Sequence, residues 1–364
     1  MNRLERNRLI MTALSLCIMA ITVRLFAETK ETTIEEDWTR LEKKILGDFD
    51  TYEKDESAKW EIVKKRVMLK WENPELPETT KYVEYFDDDT ARLKVDYDAG
   101  IVTVEALASE QSPEPNIEAK KQIENVIKIA LEAGINKNPI LFSEEIIGSK
   151  DAKTLANEIP IRFKEEIGTD GKKRKGFQIT FSLIPNFVRK RAAKFFPIVK
   201  LWSDKYKLEP ALVLAIIRQE SAFNPRARSW VPALGLMQIV PHYAGKEVMA
   251  AVTKKDIVPT SDFLYDPAWN IMLGTTYLQI LRDRYFGDIT VEAKRTLLMI
   301  ASYNWGPNRV QDLITKERIL ASSSAIDIYK DLIDSAPAET KDYIRKVIQY
   351  RKEFRSILDR EGSL

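Results

Sequence analysis

Two scarcities narrow the chemistry open to this 364-residue chain: it has one cysteine and one histidine. Cys17 lies in the N-terminal apolar stretch, so no residue after 17 can join a disulfide, attack as a thiolate or ligate metal through sulfur. With no second histidine, zinc chemistry and Ser-His-Asp hydrolysis are excluded on inventory. His242, after Pro241 at an expected helix start, reads as a surface residue. No sign of charge dominates either: 57 basic against 55 acidic residues leave +2, which gives no field for nucleic acid. The chain also lacks a long apolar run. Leu9–Val23 is shorter than the roughly 20 residues of a membrane span. Arg3, Arg6 and Arg8 precede it, the order of an export signal. Cleavage after Ala27 and retention as an uncleaved anchor are both compatible with residues 1–27. Leu14-Ser15-Leu16-Cys17 half matches a lipoprotein site, but Leu16 occupies a small-residue position, so lipidation is not expected. The expected location is the periplasm or cell envelope.

What remains is long enough for two domains with cores of their own. From residue 28 to about 72, apolar positions such as Ile34, Trp38, Leu41 and Ile45 recur every three or four residues, as in an amphipathic helix. The period then changes. Ala91, Leu93, Val95 and Tyr97 alternate with Arg92, Lys94 and Asp96, which predicts a half-buried strand. Asp98-Ala99-Gly100 supplies a turn, and Ile101–Leu107 returns. Asp96, Asp98 and Gly100 lack the spacing of a calcium loop. A helix is predicted over Ile117–Ala133, and strands over Ile159–Lys164 and Phe177–Leu183 with a basic loop, Gly171–Gly176, between them. Residues 28–186 thus read as an α+β domain with an antiparallel sheet. After Pro185 no strand is predicted. Residues 187–364 read as helices broken at Pro197, Pro210, Pro225, Pro241, Pro267, Pro307 and Pro337.

Glu220 ends an apolar helical run, Ala211–Ile217, and shares a face with Leu212 and Ile216. A carboxylate on a buried stripe is costly to ionise, so its pKa should rise towards neutrality, as a general acid requires. An exposed helix-end glutamate is the alternative for the residue taken alone. Asn224-Pro225 stops this helix. Gly235-Leu236-Met237-Gln238 follows, and far downstream comes Ala301-Ser302-Tyr303-Asn304.

In this order, on a helical background, these motifs resemble the family 1 lytic transglycosylases, whose catalytic domain has the goose-type lysozyme fold. Glu220-Ser221, Gly235–Gln238 and Ala301–Asn304 stand at the family's Glu-Ser, Gly-Leu-Met-Gln and Ala-Tyr-Asn positions. Ser302 is an extra or substituted small residue in the third. Leu264–Ile271, Gly274–Leu278 and Glu339–Tyr343 are also similar. The resemblance spans residues 192–355. Tyr82–Tyr85 and the Arg92–Leu107 hairpin are similar to the N-terminal domain of membrane-bound murein transglycosylases of the C type.

The resemblance implies an α+β domain followed by an all-α lysozyme-like domain that cleaves peptidoglycan between N-acetylmuramic acid and N-acetylglucosamine. Glycosidases ordinarily use two carboxylates, yet no Asp or Glu occurs from Ser221 through Lys246, and Glu247, Asp256, Asp262 and Asp266 belong to no motif. A single-acid route giving a 1,6-anhydro end is therefore expected, with Glu220 as acid and then base. By resemblance Tyr303 bonds Glu220 or the substrate, and Gln238 and Ser229 bind N-acetyl and hydroxyl groups. Met237 walls the site and Tyr343 lines the groove. Ser221, Gly235 and Asn304 read as structural: a helix-end hydroxyl, a turn and a helix end. No cofactor and no metal are called for. The expected partner is the glycan strand, with possible membrane attachment through the N-terminal segment and no nucleic acid. A hydrolase on the same fold and a non-catalytic peptidoglycan-binding protein are the alternatives.

Overall fold

The structure, a computed structural model, describes residues 61–109, 111–132, 145–146, 151–229, 233–316, 324–362 and 364. The expected export signal, and the amphipathic stretch up to residue 60, lie outside the described residues; residues 61–68 are helical. Two compact units are present. Of the described residues, one holds 61–74 with 85–93 and those within 103–181, the other 75–84, 94–102 and those within 182–364.

The N-terminal region carries a five-stranded antiparallel sheet in the order β1-β2-β3-β5-β4. Its strands are β1 (Lys81–Phe86), β2 (Ala91–Asp96), β3 (Ile101–Ser109), β4 (Arg162–Ile167) and β5 (Lys173–Ser182). Helices α1 (Pro115–Glu132) and α2 (Ala152–Glu158) lie between β3 and β4 in sequence and pack on each other. The turn expected at 98–100 is an Asx turn, in which Asp96 Oδ1 accepts from the backbone of Asp98 and Ala99.

Three expectations need correction. The half-buried alternation fits β2, where Ala91, Leu93 and Val95 are buried and Lys94 and Asp96 half-buried, whereas the returning β3 is central and buried on both faces from Val102 to Ala108. Arg92, expected in solvent, is buried with Glu105 as its ion-pair partner; it stacks 4.2 Å over the Trp71 ring and donates to Asn73 O at 2.9 Å. A buried guanidinium persists only with such partners. The strand expected from Ile159 starts at Arg162 instead. Asp151 caps a helix the alternation did not reveal, accepting from Thr154 N at 2.9 Å. The basic stretch is not a loop beyond Lys172: Lys173, Arg174 and Lys175 pair with Ile167, Glu166 and Glu165.

From residue 187 the described chain is helical apart from isolated bridges. Its helices are α3 (Phe187–Tyr206), α4 (Pro210–Ser221), α5 (Lys246–Thr253), α6 (Ser261–Leu264), α7 (Pro267–Ile280), α8 (Glu292–Trp305), α9 (Pro307–Lys316), α10 (Ala325–Ser335) and α11 (Ala338–Glu361). Pro210, Pro267 and Pro307 open helices, because a first-turn proline gives up an N–H that has no partner there. Pro197 does not break its helix as expected. It lies inside α3, where Phe195 and Val199 on either side are buried and hold the helix through the missing bond.

Helix α4 is the centre of this unit. Every residue from Ala211 to Ile217 is buried, so the expected single apolar stripe is an apolar surface all round. Leu212, Leu214, Ile216 and Ile217 each contribute about 1.5–3 kcal/mol by burial. Helix α11 packs along α4. Arg351 and Arg355 pair with Glu209 at 2.5 and 2.7 Å, and Arg218 stacks 3.8 Å over Tyr350 while pairing with Glu353. These contacts set the register of α11 on α4. Among the described residues no helix is long and apolar enough to cross a membrane.

Candidate active site

Glu220 stands in the last turn of α4. The helix ends abruptly because Ala222 and Phe223 adopt left-handed φ values of 47° and 62°, each costing about 1–2 kcal/mol in a residue with a Cβ. Asn224 N then bonds back to Ser221 O at 2.9 Å. The chain is thereby turned away at once, and Glu220 keeps partial access to solvent.

Its partner comes from α11. The Tyr343 hydroxyl donates to Glu220 Oε1 at 2.7 Å. Burial raises the Glu220 pKa from 4.5 to about 8; the Tyr343 bond opposes this, and the charge of Glu339 adds to it. Glu339 lies one helical turn before Tyr343, on the same face of α11. Burial, followed by the Glu220 charge, holds the phenols of Tyr343 and Tyr303 well above their ordinary range, so both remain donors.

The second motif is a tight loop closed by Leu234 N–H to Ile239 O (3.1 Å) and Ile239 N–H to Leu234 O (3.0 Å). Its four successive carbonyls each accept a side chain. Leu234 O takes Asn270 Nδ2 at 2.8 Å, Gly235 O takes Gln238 Nε2 at 2.9 Å, Leu236 O takes Ser221 Oγ at 2.8 Å and Met237 O takes the Tyr303 hydroxyl at 2.8 Å. The loop is thus a junction of α4, α7 and α8. Gly235 is required there: its φ is 76°, and a Cβ would stand 2.3 Å from Asn270 Nδ2 and from Leu264 O. Gln238 is itself left-handed, at φ 45°, with its amide folded onto the loop. Among the described residues its buried Oε1 has no hydrogen-bond partner.

The expected residues therefore divide. Tyr343 is hydrogen-bonded to Glu220 and Tyr303 lies within reach of its charge, and Ser221, Gly235, Met237 and Gln238 build or tie the adjoining loop. The bond to Glu220 comes from Tyr343, whereas the Tyr303 hydroxyl donates to Met237 O; Tyr303 also packs edge-on against Tyr277 at 5.7 Å. Ser229 Oγ accepts from Ala233 N at 3.3 Å within its own loop. Asn304 Oδ1 accepts from Thr340 Oγ1 at 2.7 Å and so ties α8 to the start of α11. His242 is exposed.

Of the acids after the motif, three are engaged elsewhere. Asp266 caps α7, Asp256 pairs with Lys246 at 3.0 Å, and Glu247 accepts from Tyr285 at 3.0 Å. Two contributors had no role assigned from sequence. Glu339 opens the family-like stretch Glu339–Tyr343 and stands four residues before Tyr343, one helical turn away. Asn270 lies in the family-like stretch Leu264–Ile271, and as an amide beside Ile271, Met272 and Leu273 it is obliged by burial to find partners.

Comparison with known proteins agrees with both regions. The Transglycosylase SLT domain model matches residues 197–325, and the N-terminal domain model of membrane-bound lytic murein transglycosylase C matches residues 57–170. The membrane-bound lytic murein transglycosylase C of Serratia proteamaculans (strain 568) is 32% identical over 298 residues, covering 75% of this chain and 82% of the relative. That of Yersinia enterocolitica is 31% identical over 299 residues, with the same coverage. The chain belongs to the membrane-bound lytic murein transglycosylase C family, enzymes that act on peptidoglycan through an SLT domain.

Proposed function

We propose that this enzyme cleaves the β-1,4 bond between N-acetylmuramic acid and N-acetylglucosamine by a single-acid route that leaves a 1,6-anhydromuramic end. The observation that carries it is a half-buried glutamate whose pKa stands at about 8 and whose Oε1 is held by Tyr343. At neutral pH Glu220 is mostly protonated, and with Oε1 occupied the proton resides on Oε2. It passes to the oxygen leaving from C4 of N-acetylglucosamine. The N-acetyl oxygen of the muramic sugar stabilises positive charge at C1. Glu220, now ionised, takes the proton of the C6 hydroxyl as that oxygen attacks C1. The ring closes without water, and the acid is regenerated.

A single acid suits the surroundings. Among the described residues the other carboxylate whose charge acts on Glu220 is Glu339, which is exposed. Gln238 Oε1, buried and unpaired, suits an incoming N-acetyl N–H, since an unmet buried amide oxygen costs about 1–3 kcal/mol that a ligand would recover. Ser229 serves sugar hydroxyls from the neighbouring loop, and Tyr303 lines the groove. Met237, fully buried, walls Glu220 from water. We assign catalysis to residues 187–364, and place the enzyme in the cell envelope, exported by residues 1–27, which act as a cleaved signal or as an anchor.

The test is mass spectrometry of digested sacculi for the wild type and Glu220→Gln. The wild type should release products one water lighter than hydrolysis gives, and the variant none. Reducing-end products would assign a hydrolase; undiminished release by the variant would remove Glu220 from the reaction.

A further inference from the structure

Met237 is gripped at three points. Its N–H donates to Asn270 Oδ1 at 2.7 Å, and its carbonyl accepts from Tyr303 at 2.8 Å. Its side chain lies against Gly274, where an added Cβ would stand 2.3 Å from Sδ, 2.7 Å from Cε and 2.8 Å from Cβ. Asn270 and Gly274 are four residues apart on α7 and so share one face. One helix face therefore supplies both a clamp for the Met237 backbone and a slot for its thioether.

Asn270 is fully buried, and its side chain serves the loops rather than its own helix. Nδ2 donates to Leu234 O at 2.8 Å and to Leu264 O at 2.7 Å, while Oδ1 accepts from Met237 N. An amide is the side chain that meets this need, with two donors and an acceptor in one plane. A carboxylate in its place would turn an oxygen towards two carbonyl oxygens, and an aspartate-sized apolar group would orphan Met237 N–H and Leu264 O and leave Leu234 O with Ile239 N–H alone. The same amide fills the space a Cβ on Gly235 would need. Ser221, the residue after Glu220, joins the loop at Leu236 O. The loop thus has one anchor on the acid-bearing helix and its main anchor on α7.

We propose that Asn270, with Gly274, is a positioning residue of the transglycosylase reaction: it seats Met237, and through that loop the Gln238 amide, against Glu220. This rests on the reading of Glu220 as the acid and base. Two effects follow from loosening the seat. The Met237 wall would admit water to the carboxyl, and the Tyr303–Met237 bond would lose its fixed acceptor.

The experiment measures kcat, KM and their pH dependence for the full chain on purified sacculi, with Asn270→Ala, Gly274→Ala and Glu220→Gln in parallel. Gly274→Ala adds a helix-favouring residue and closes the slot without removing a hydrogen bond, so it serves if Asn270→Ala does not fold. Both seat variants should lose at least tenfold in kcat with KM changed less than threefold. The basic limb of kcat should move to lower pH, because a wetter carboxyl ionises earlier. A purely structural role predicts a lower melting temperature with kcat and the basic limb unchanged well below it, and that result would overturn the proposal. If Glu220→Gln keeps turnover, the acid–base reading has failed instead. An unmoved limb in the seat variants beside an inactive Glu220→Gln refutes the seat alone.

Discussion

Replacing Glu220 by glutamine should stabilise the protein, and by an amount that depends on pH. The perturbation is nearly isosteric, and glutamine still offers Tyr343 an oxygen. A rise in pKa from 4.5 to about 8 corresponds to about 5 kcal/mol for a group buried without relief. Glu220 keeps part of its surface open, so about 2–3 kcal/mol is the working expectation. The sign follows from proton counting. Between pH 4.5 and 8 the folded chain holds a proton that the unfolded chain has released, so wild-type stability falls as pH rises through that window. Glutamine has no proton to lose. The stability gap between variant and wild type should be near its smallest at pH 5, grow through pH 6.5 and level off above pH 8. Urea unfolding of both proteins at these three values reads it directly, provided the slopes agree. A gap that stays constant from pH 5 to 8.5 would mean the carboxyl ionises normally, and the case for a neutral acid at physiological pH would go with it.

Other substitutions test the surroundings of that carboxyl. Tyr343→Phe removes the hydrogen bond that holds the Glu220 pKa down, so the basic limb of the pH–rate profile should move up while kcat falls about 10–100-fold; a downward move contradicts the assigned geometry. Glu339→Gln removes a charge that holds it up, so the same limb should fall by roughly a few tenths of a pH unit at low salt and less at high salt, as suits an exposed charge. Gly235→Ala meets both a left-handed φ and the Asn270 amide, and should cost about 3 kcal/mol or more in thermal or urea unfolding. A loss under about 1 kcal/mol would show that the loop can move aside.

Much of this site was readable along the chain because its parts are local. The apolar run leading to Glu220 and the glycine of the second loop each act over a few residues, and the structure places α4 and the left-handed Gly235 where those signals stand; the helix ends at Ser221, turned by left-handed Ala222 and Phe223 before Asn224-Pro225 is reached. Prolines were partly misread: Pro210, Pro267 and Pro307 open helices, whereas Pro197 rides inside one because core side chains on both sides outweigh a lost bond. Alternation misled at Arg92 for a related reason. A polar residue on an interior strand is indistinguishable from one on a wet face until Glu105 and Trp71 are seen to cover it.

The identity of the group that holds the acid was of another kind. Tyr303 and Tyr343 both carry a phenol near Glu220, and nothing in either motif says which hydroxyl reaches it. The choice depends on where α11 comes to rest along α4, 123 residues away in the chain from Glu220 to Tyr343. That resting place is set by Arg351 and Arg355 on Glu209 at one end of α4, by Arg218 on Tyr350 and Glu353, and by Asn304 on Thr340 at the start of α11. A shift of one residue along α11 would turn Tyr343 by about 100° and carry its hydroxyl away from Oε1. The tuning of the acid is therefore delivered by ion pairs and a side-chain bond that touch no substrate. Substitutions at Glu209 or Thr340 should accordingly be felt in the pH profile as well as in stability.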